Sequence, residues 1–362
     1  MSPLVISIII PTFNERDNVA ELIRRLDRSL VGVTWEAIFV DDDSSDGTLA
    51  ALQEISSKDT RVRYIHRIGR RGLSSAVVEG MLSTHAPFIA VIDADLQHDE
   101  TRLPLMLKLL QSGDCDIVVG SRYLQAGGLG DWTEDRVYIS QIATKLAQWI
   151  LPIPLSDPMS GFFVATRSAL ETSVRKLSNQ GYKILLDIVL SSPVKPRIRE
   201  VPYVFRPRLH GESKLDFAIV VEYLFLLLDK TFGRAVPTRF ILFALVGALG
   251  VLVHMSIYNI LHTIFGVSFA VSQAAGFVGA MTSNFYINNI LTYRDKQLRG
   301  FWPLTTGLLS FYMVCGLAAA SNIGVASVLF EGHYSLQQSA ISGILVGLVW
   351  NYTMASTFTW RK

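Results

Sequence analysis

The chain has 362 residues, half of them hydrophobic, with a mean hydropathy of +0.34. That is too apolar for one ordinary soluble domain, and the length allows two or three. A formal net charge of +2 leaves no basic footprint for nucleic acid. Beyond Phe240 the only Lys and Arg residues are Arg294, Lys296, Arg299, Arg361 and Lys362, so a charged front part precedes an apolar back part.

Residues 1–10 have no basic segment ahead of their apolar run, and Pro11-Thr12-Phe13-Asn14 follows at once. This reads as a strand and not as a signal peptide. Short runs rich in β-branched residues follow at 4–10, 36–41, 62–66, 88–93 and 116–120. Between them lie amphipathic stretches. Residues 17–30 place Val19, Leu22, Ile23, Leu26 and Leu30 at helical spacing, and 48–57 and 74–84 read the same way. Strands alternating with helices predict a mostly parallel, doubly wound sheet, in which ligands bind beyond the carboxyl ends of the strands.

Those ends carry the chemistry. The first closes in Pro11-Thr12-Phe13-Asn14-Glu15 and the second in Asp41-Asp42-Asp43-Ser44-Ser45-Asp46-Gly47-Thr48. The fourth closes in Asp93-Ala94-Asp95-Leu96-Gln97-His98 and the fifth in Gly120-Ser121-Arg122-Tyr123. Asp93 and Asp95 project to one side of an extended chain, and Gln97 continues that side. Two carboxylates and an amide oxygen are hard ligands suited to Mg²⁺ or Mn²⁺; an acidic turn capping a helix is the plainer alternative. Asp46-Gly47-Thr48 reads as turn and cap, with Asp41 and Asp42 facing a ligand. No GxGxxG or P-loop follows a strand. Cys115 and Cys315 fall in different parts, which argues against a disulfide and a cysteine metal site.

In the back part, Phe240–Leu261, Val267–Ile290, Pro303–Phe330 and Leu336–Thr359 are each long enough to span a bilayer, which takes about 20 residues. Lys230, Arg234 and Arg239 precede the first span, Arg294, Lys296 and Arg299 separate the second and third, and Arg361 and Lys362 follow the last. The other two loops have no Lys or Arg, so both termini and the front part are expected in the cytosol. Tyr293, Trp302 and Trp360 suit an aromatic belt at that edge. Gly343 and Gly347 have the GxxxG spacing of close helix packing. His254, Asn284, Asn288, Asn289, Asn322 and Asn351 are expected to face other helices.

Residues 1–215 resemble a family-2 glycosyltransferase of the GT-A fold, most closely the dolichol-phosphate mannosyltransferase group. PTFNE, VDDDSSDGT, GLSSA through Glu79-Gly80, DADLQH, VVGSRY, DPMSGFF and RLHGESKL stand in the group's order and spacing. Residues 239–362 resemble the four-helix GtrA-like membrane domain, with RFILFALVGALG opening it and SNFYINNILTYR closing its second helix. Interfacial or juxtamembrane helices over 216–238 would join the two. The resemblance implies an α/β GT-A, Rossmann-like catalytic domain before an α-helical four-span transmembrane domain. It implies that Pro11, Phe13, Glu15, Val40, Asp42, Asp93, Ala94, Asp95 and Arg208 bind the nucleotide and that Asp93, Asp95 and Gln97 hold the metal. Arg122, Arg136, Ser140, Arg208 and Lys214 would contact phosphates of donor or acceptor, and Asp93, Asp95, Arg122, Arg136 and Arg208 would form the catalytic set. Phe13 stands where Tyr is common, and Asp99 replaces a common proline.

The implied reaction moves mannose from GDP-mannose to dolichyl or polyprenyl phosphate, with inversion, at the bilayer surface. Such a phosphate has its second pKa near ~6, so it is already an anionic nucleophile at neutral pH and needs no strong base. Asp157 could orient the acceptor or serve structure. Apolar positions Ile142, Leu146, Trp149 and Ile150, and those of 217–232, suit either the membrane interface or the catalytic core. UDP-glucose or another UDP-sugar is the alternative donor, and a lipid-linked sugar flippase or scaffold the alternative of another class. A processive polysaccharide synthase would carry an Arg-Trp pair, which this chain lacks.

Overall fold

The structure is a computed structural model that describes residues 3–128, 130, 134–178, 183–207, 217–233, 236–332 and 335–361. The chain divides into two compact units, Met1–Thr231 and Phe232–Lys362.

The first unit alternates strands and helices from its start: β1 (Ile6–Thr12), α1 (Arg16–Ser29), β2 (Trp35–Asp41), α2 (Thr48–Lys58), β3 (Val62–His66), α3 (Leu73–Leu82), β4 (Phe88–Val91), α4 (Leu103–Gln111) and β5 (Ile117–Ser121). Then come α5 (Glu134–Ile150), β6 (Phe163–Thr166), α6 (Arg167–Val174), α7 (Ile184–Ser191), β7 (Ile198–Pro202) and α8 (Phe217–Phe232). The sheet order is β3-β2-β1-β4-β6-β5-β7. All pairings are parallel except those of β6, which runs antiparallel to both β4 and β5. The expected mostly parallel sheet is present. β6 and β7 are additions that the apolar runs did not mark.

Strand alternation divides the core. Ile8, Ile10 and Phe39 pack on one face with Val19, Leu22 and Leu26 of α1 and Met106 and Leu107 of α4. Ile9, Ile38 and Val40 pack on the other with Ala76, Val77 and Met81 of α3 and Leu185 and Ile188 of α7. Burial on both faces explains why β1 reads as a continuous apolar run. Each such isoleucine contributes roughly 1.5–3 kcal/mol by leaving water. Gly80 lets α3 come close to the sheet: a Cβ there would lie 2.5 Å from a methyl of Ile9. Tyr223 and Leu226 of α8 pack against Ala147, Met159 and Leu186, so part of the expected juxtamembrane segment belongs to this core.

The second unit is helical: α9 (Thr238–Asn259) with a π turn at Ile260–Ile264, α10 (Phe269–Ile290), α11 (Phe301–Glu331), and α12 (Leu336–Met354) with a π turn at Ala355–Thr359. Among the described residues, Thr238–Ile264, Phe301–Ala318 and Ile341–Thr359 are long and apolar enough to cross a membrane. The expected span 267–290 is a 22-residue helix, α10, that falls outside this set. Gln273, Asn284, Asn288 and Asn289 dilute its apolar character. Several of its polar groups bond within the bundle, although the buried Asn284 amide oxygen has no hydrogen-bond partner among the described residues. His254 and Gln273 meet at 2.7 Å. The Asn289 oxygen accepts from the Trp360 indole and the Leu298 amide. The close crossing joins α9 and α10 at Gly276, where a Cβ would meet the His254 carbonyl at 2.9 Å.

The expected aromatic belt needs correction. Trp302 is exposed, but Tyr293 and Trp360 are buried and stacked on each other at 4.1 Å. Their polar tips satisfy Ser356 and Asn289 inside the unit, so no water interface is needed.

Candidate functional site

The loops leaving β1 and β2 are fastened to each other. The Asn14 amide donates to the Ser44 hydroxyl, Ser45 returns a bond to the Asn14 side chain, the Glu15 amide donates to the Thr48 hydroxyl, and the Arg16 amide to Asp46. Asn14, Asp43 and Gly47 have positive φ, which folds both loops back sharply. Asp46 also accepts from the Thr48 amide at 2.9 Å in the turn that leads into α2, as the turn reading expected, but the cap position itself is Gly47, in the left-handed region and without a side-chain cap bond. The same carboxylate thus serves the turn and loop-to-loop fastening.

Asp41 and Asp42 divide differently from the expectation. Asp41 is fully buried and spends both oxygens on Ser44, so its role is in the turn and not towards a ligand. Asp42 accepts from the buried Arg67 guanidinium and from the Gly72 amide at 2.7 Å. It therefore anchors the 67–72 loop. That loop carries Arg71 over the ring of Phe13, guanidinium carbon to centroid 4.2 Å, a contact worth about 0.5–1 kcal/mol where exposed. Neither Arg67 nor Arg71 was marked by the sequence reading; the signal available was the Gly-flanked basic run RIGRRG. Pro11 and Val40 pair in the parallel ladder between the two tips, and the Glu15 carboxylate accepts from Asn18.

The tip of β4 turns at Leu96, whose φ is 65°. Asp95 and Gln97 are almost fully buried, Ala94 packs in the core, and the Asp93 side chain is one-third exposed. Asp95 accepts from the Gln97 amide at 3.1 Å, and the Gln97 side-chain nitrogen donates to the Arg206 carbonyl at 3.0 Å. With that nitrogen committed, the amide oxygen is the arm left for a cation. Arg206 closes the turn from outside through Asp99 and Glu100, so Asp99, where a proline is common, is an ion-pair partner.

At the β5 tip Arg122 is 9% exposed and makes a two-pronged pair with fully buried Asp157, Nε to Oδ2 at 2.7 Å and Nη2 to Oδ1 at 2.8 Å. Burial works against the guanidinium charge, but the bonds and field of Asp157 outweigh it and hold the proton more tightly than on an ordinary arginine. Tyr123 meets Ser140 of α5 at 2.8 Å. Between the β4 and β5 tips lies an aromatic box of His98, Phe162, Tyr203 and Phe205. Burial pushes the Tyr203 hydroxyl pKa up and keeps it neutral.

Of the remaining expected residues, Arg136 has its backbone in the first turn of α5, and its side chain is outside the described set. Arg208 and Lys214 lie outside the described residues altogether. Among the described residues no group of three or more His, Cys, Asp or Glu side chains forms a closed metal cage. Two carboxylates and an amide oxygen at a strand tip where only the Asp93 side chain is partly exposed fit a hard cation that takes its remaining ligands from a diphosphate, the usual habit of Mg²⁺.

The family description Glycosyl transferase family 2 matches residues 7–173, and GtrA/DPMS, transmembrane domain matches residues 242–360. The chain is similar to the dolichol-phosphate mannosyltransferase of Pyrococcus furiosus, with 33% identity over 359 residues, 98% of this chain and 99% of the relative. It is also similar to the proteins of the same name from Mycosarcoma maydis, 37% identical over 66% of this chain and 84% of that one, and from Saccharomyces cerevisiae, 36% identical over 60% and 84%.

Proposed function

Because this chain belongs to the dolichol-phosphate mannosyltransferases, we propose that it transfers mannose from GDP-mannose to dolichyl or another polyprenyl phosphate. The anomeric carbon is inverted, and GDP is released. One observation carries the reading: the strand tips at one sheet edge bring a carboxylate pair, a locked arginine and an aromatic ring to the place where this fold class binds ligands. Asp93, Asp95 and Gln97 would hold Mg²⁺ or Mn²⁺, which when bound neutralises charge on the donor diphosphate.

Arg122 places a fixed cation near that diphosphate, and its prepaid orientation by Asp157 lowers the cost of stabilising the leaving group. Arg136, Arg208 and Lys214 would add charge towards donor and acceptor phosphates, and Ser140 a hydroxyl. Phe13, Pro11, Glu15, Val40, Asp42 and Ala94 would build the nucleoside pocket, Asp42 through the loop it anchors. The acceptor phosphate is ionised and attacks from the face opposite the leaving group.

The acceptor is a lipid, so the site must meet a bilayer. Tyr138, Ile142, Leu146 and Trp149 of α5 are all exposed at spacings of one or two helical turns, which suits an interfacial face. Loop charge supports four spans, α10 included, with both termini and the catalytic unit cytosolic.

The test is the full-length protein in nanodiscs with GDP-mannose, a divalent cation and dolichyl phosphate. Lipid-linked mannose should form together with GDP, and GDP release should require the lipid. Faster transfer from UDP-glucose would reassign the donor, and GDP release indifferent to the lipid would overturn the acceptor.

A further inference from the structure

We infer that His98 is the positioning residue for Asp93, and that one imidazole sets both the backbone and the carboxylate of this ligand for its cation. The inference rests on the metal role proposed for Asp93 and goes beyond it by assigning the group that holds the ligand in place.

His98 lies five residues after Asp93, and the left-handed turn at Leu96 brings it back over the strand tip. Its Nδ1 accepts the backbone N–H of Asp93 at 3.1 Å. A nitrogen that accepts carries no proton, so the neutral ring has its proton on Nε2. Nε2 in turn faces the Asp93 Oδ2 at 3.7 Å. That is beyond hydrogen-bond range, so the N–H steers the carboxylate electrostatically without saturating an oxygen that a cation needs.

The ring itself has little freedom. It is 3% exposed, stacked on Phe162 at 5.4 Å with planes 15° apart, and met edge-on by Tyr203 and Phe205. The backbone at Gly161 closes the remaining side. A Cβ there would lie 3.3 Å from Asp93 Oδ2 and 3.4 Å from His98 Cε1, so a side chain would press on carboxylate and ring together. A histidine serving only the core would be satisfied by the first bond and the stack; the second nitrogen aimed at a ligand oxygen is what a purely structural role leaves without purpose. Groups that orient a metal's ligands carry about ten- to a hundredfold in metal affinity.

The test measures Mn²⁺ binding by electron paramagnetic resonance in the presence of GDP, with the full chain in detergent. His98→Phe keeps the stacked ring and removes both nitrogens; it should bind Mn²⁺ at least about tenfold more weakly and stay folded at the assay temperature, its midpoint lowered by the loss of the acceptor for the Asp93 amide. His98→Asn places an amide oxygen where Nδ1 accepts and His98→Gln an amide nitrogen where Nε2 lies; each should recover part of the loss and neither should reach wild-type affinity. Wild-type affinity in His98→Phe overturns the inference. Should that variant not fold, wild-type Mn²⁺ affinity in the Asn variant, which lacks the group facing the carboxylate, overturns it instead. Failure of the wild-type protein to bind Mn²⁺ with GDP would sink the metal reading itself, a different result from an unaffected variant.

Discussion

Replacing Asp157 by Asn tests the arginine at the β5 tip. The carboxylate is fully buried and accepts three bonds from Arg122: the backbone amide at 3.1 Å, Nε at 2.7 Å and Nη2 at 2.8 Å. Removing one partner of a buried pair strands the other charge and costs about 3–5 kcal/mol, whereas replacing both with apolar groups of similar size is often neutral. Asparagine keeps one acceptor oxygen, so the loss should sit near the low end, about 3 kcal/mol. For a unit of this size that is a fall in midpoint of roughly 6–12 °C. The double variant Arg122→Met/Asp157→Leu should be more stable than the single one, although below wild type by the roughly 1–3 kcal/mol that the Arg122 backbone amide loses with its acceptor, yet transfer no mannose, because it lacks the cation assigned to the leaving group. Thermal unfolding of the full chain in detergent, read beside lipid-linked mannose formation, separates the two effects. An unchanged midpoint in the single variant, or a double variant as unstable as the single one, would refute the pair as described. Substantial transfer by the double variant would refute the role given to its charge.

Three further outcomes are expected. Asp95→Asn should abolish transfer with little change in unfolding, and near-normal turnover would remove its metal role. Lys230→Met removes the α8 ammonium that meets buried Asp187 at 2.6 Å and leaves that carboxylate to Ser178 and Ser191. Amides of 217–232 should exchange faster, with about 3 kcal/mol lost; unaltered exchange would show that the pair does not hold the helix. Burial raises the Asp46 pKa, but bonds from the Thr48 hydroxyl and amide and the Arg16 amide prevail and set it below the ordinary 3.8. A depressed carboxyl stabilises the fold above its unfolded value, and that contribution fades as pH falls through the folded one. The midpoint difference between wild type and Asp46→Asn should therefore hold from pH 5 to 8 and narrow only below about pH 4; narrowing above pH 5 would contradict the assignment.

Much of this was legible in the sequence because period and tip chemistry are local. The isoleucines of β1 and the apolar stripe of α1 announce their elements, and strand tips have to carry the ligand chemistry of a parallel sheet. What stayed hidden depends on pairing between distant residues. Nothing local tells that Asp41 serves Ser44 while its neighbour Asp42 reaches Arg67, 25 residues on. Nor does composition tell an indole at a membrane edge from one that stacks on Tyr293 and donates to Asn289, as Trp360 does.

The least legible feature, β6, is also the one that completes the site. A parallel strand ends at the ligand edge, and its preceding loop lies at the opposite edge. An antiparallel strand begins where its neighbours end. β6 pairs Phe163 with Val91 of β4 and with Val119 of β5, so the loop before it, DPMSG, arrives beside the tips of both. That reversal brings Asp157 to Arg122 and the Gly161 backbone to Asp93 and His98. Phe162, the residue before the strand, enters the aromatic box and fills the space that a side chain at Gly120 would take, since a Cβ there would lie 2.4 Å from its ring. With β6 parallel, the same five residues would sit a strand length away and both carboxylate positioning and arginine pairing would be lost. The four-residue strand is too short to announce itself by periodicity, but its direction puts one motif at the service of two others.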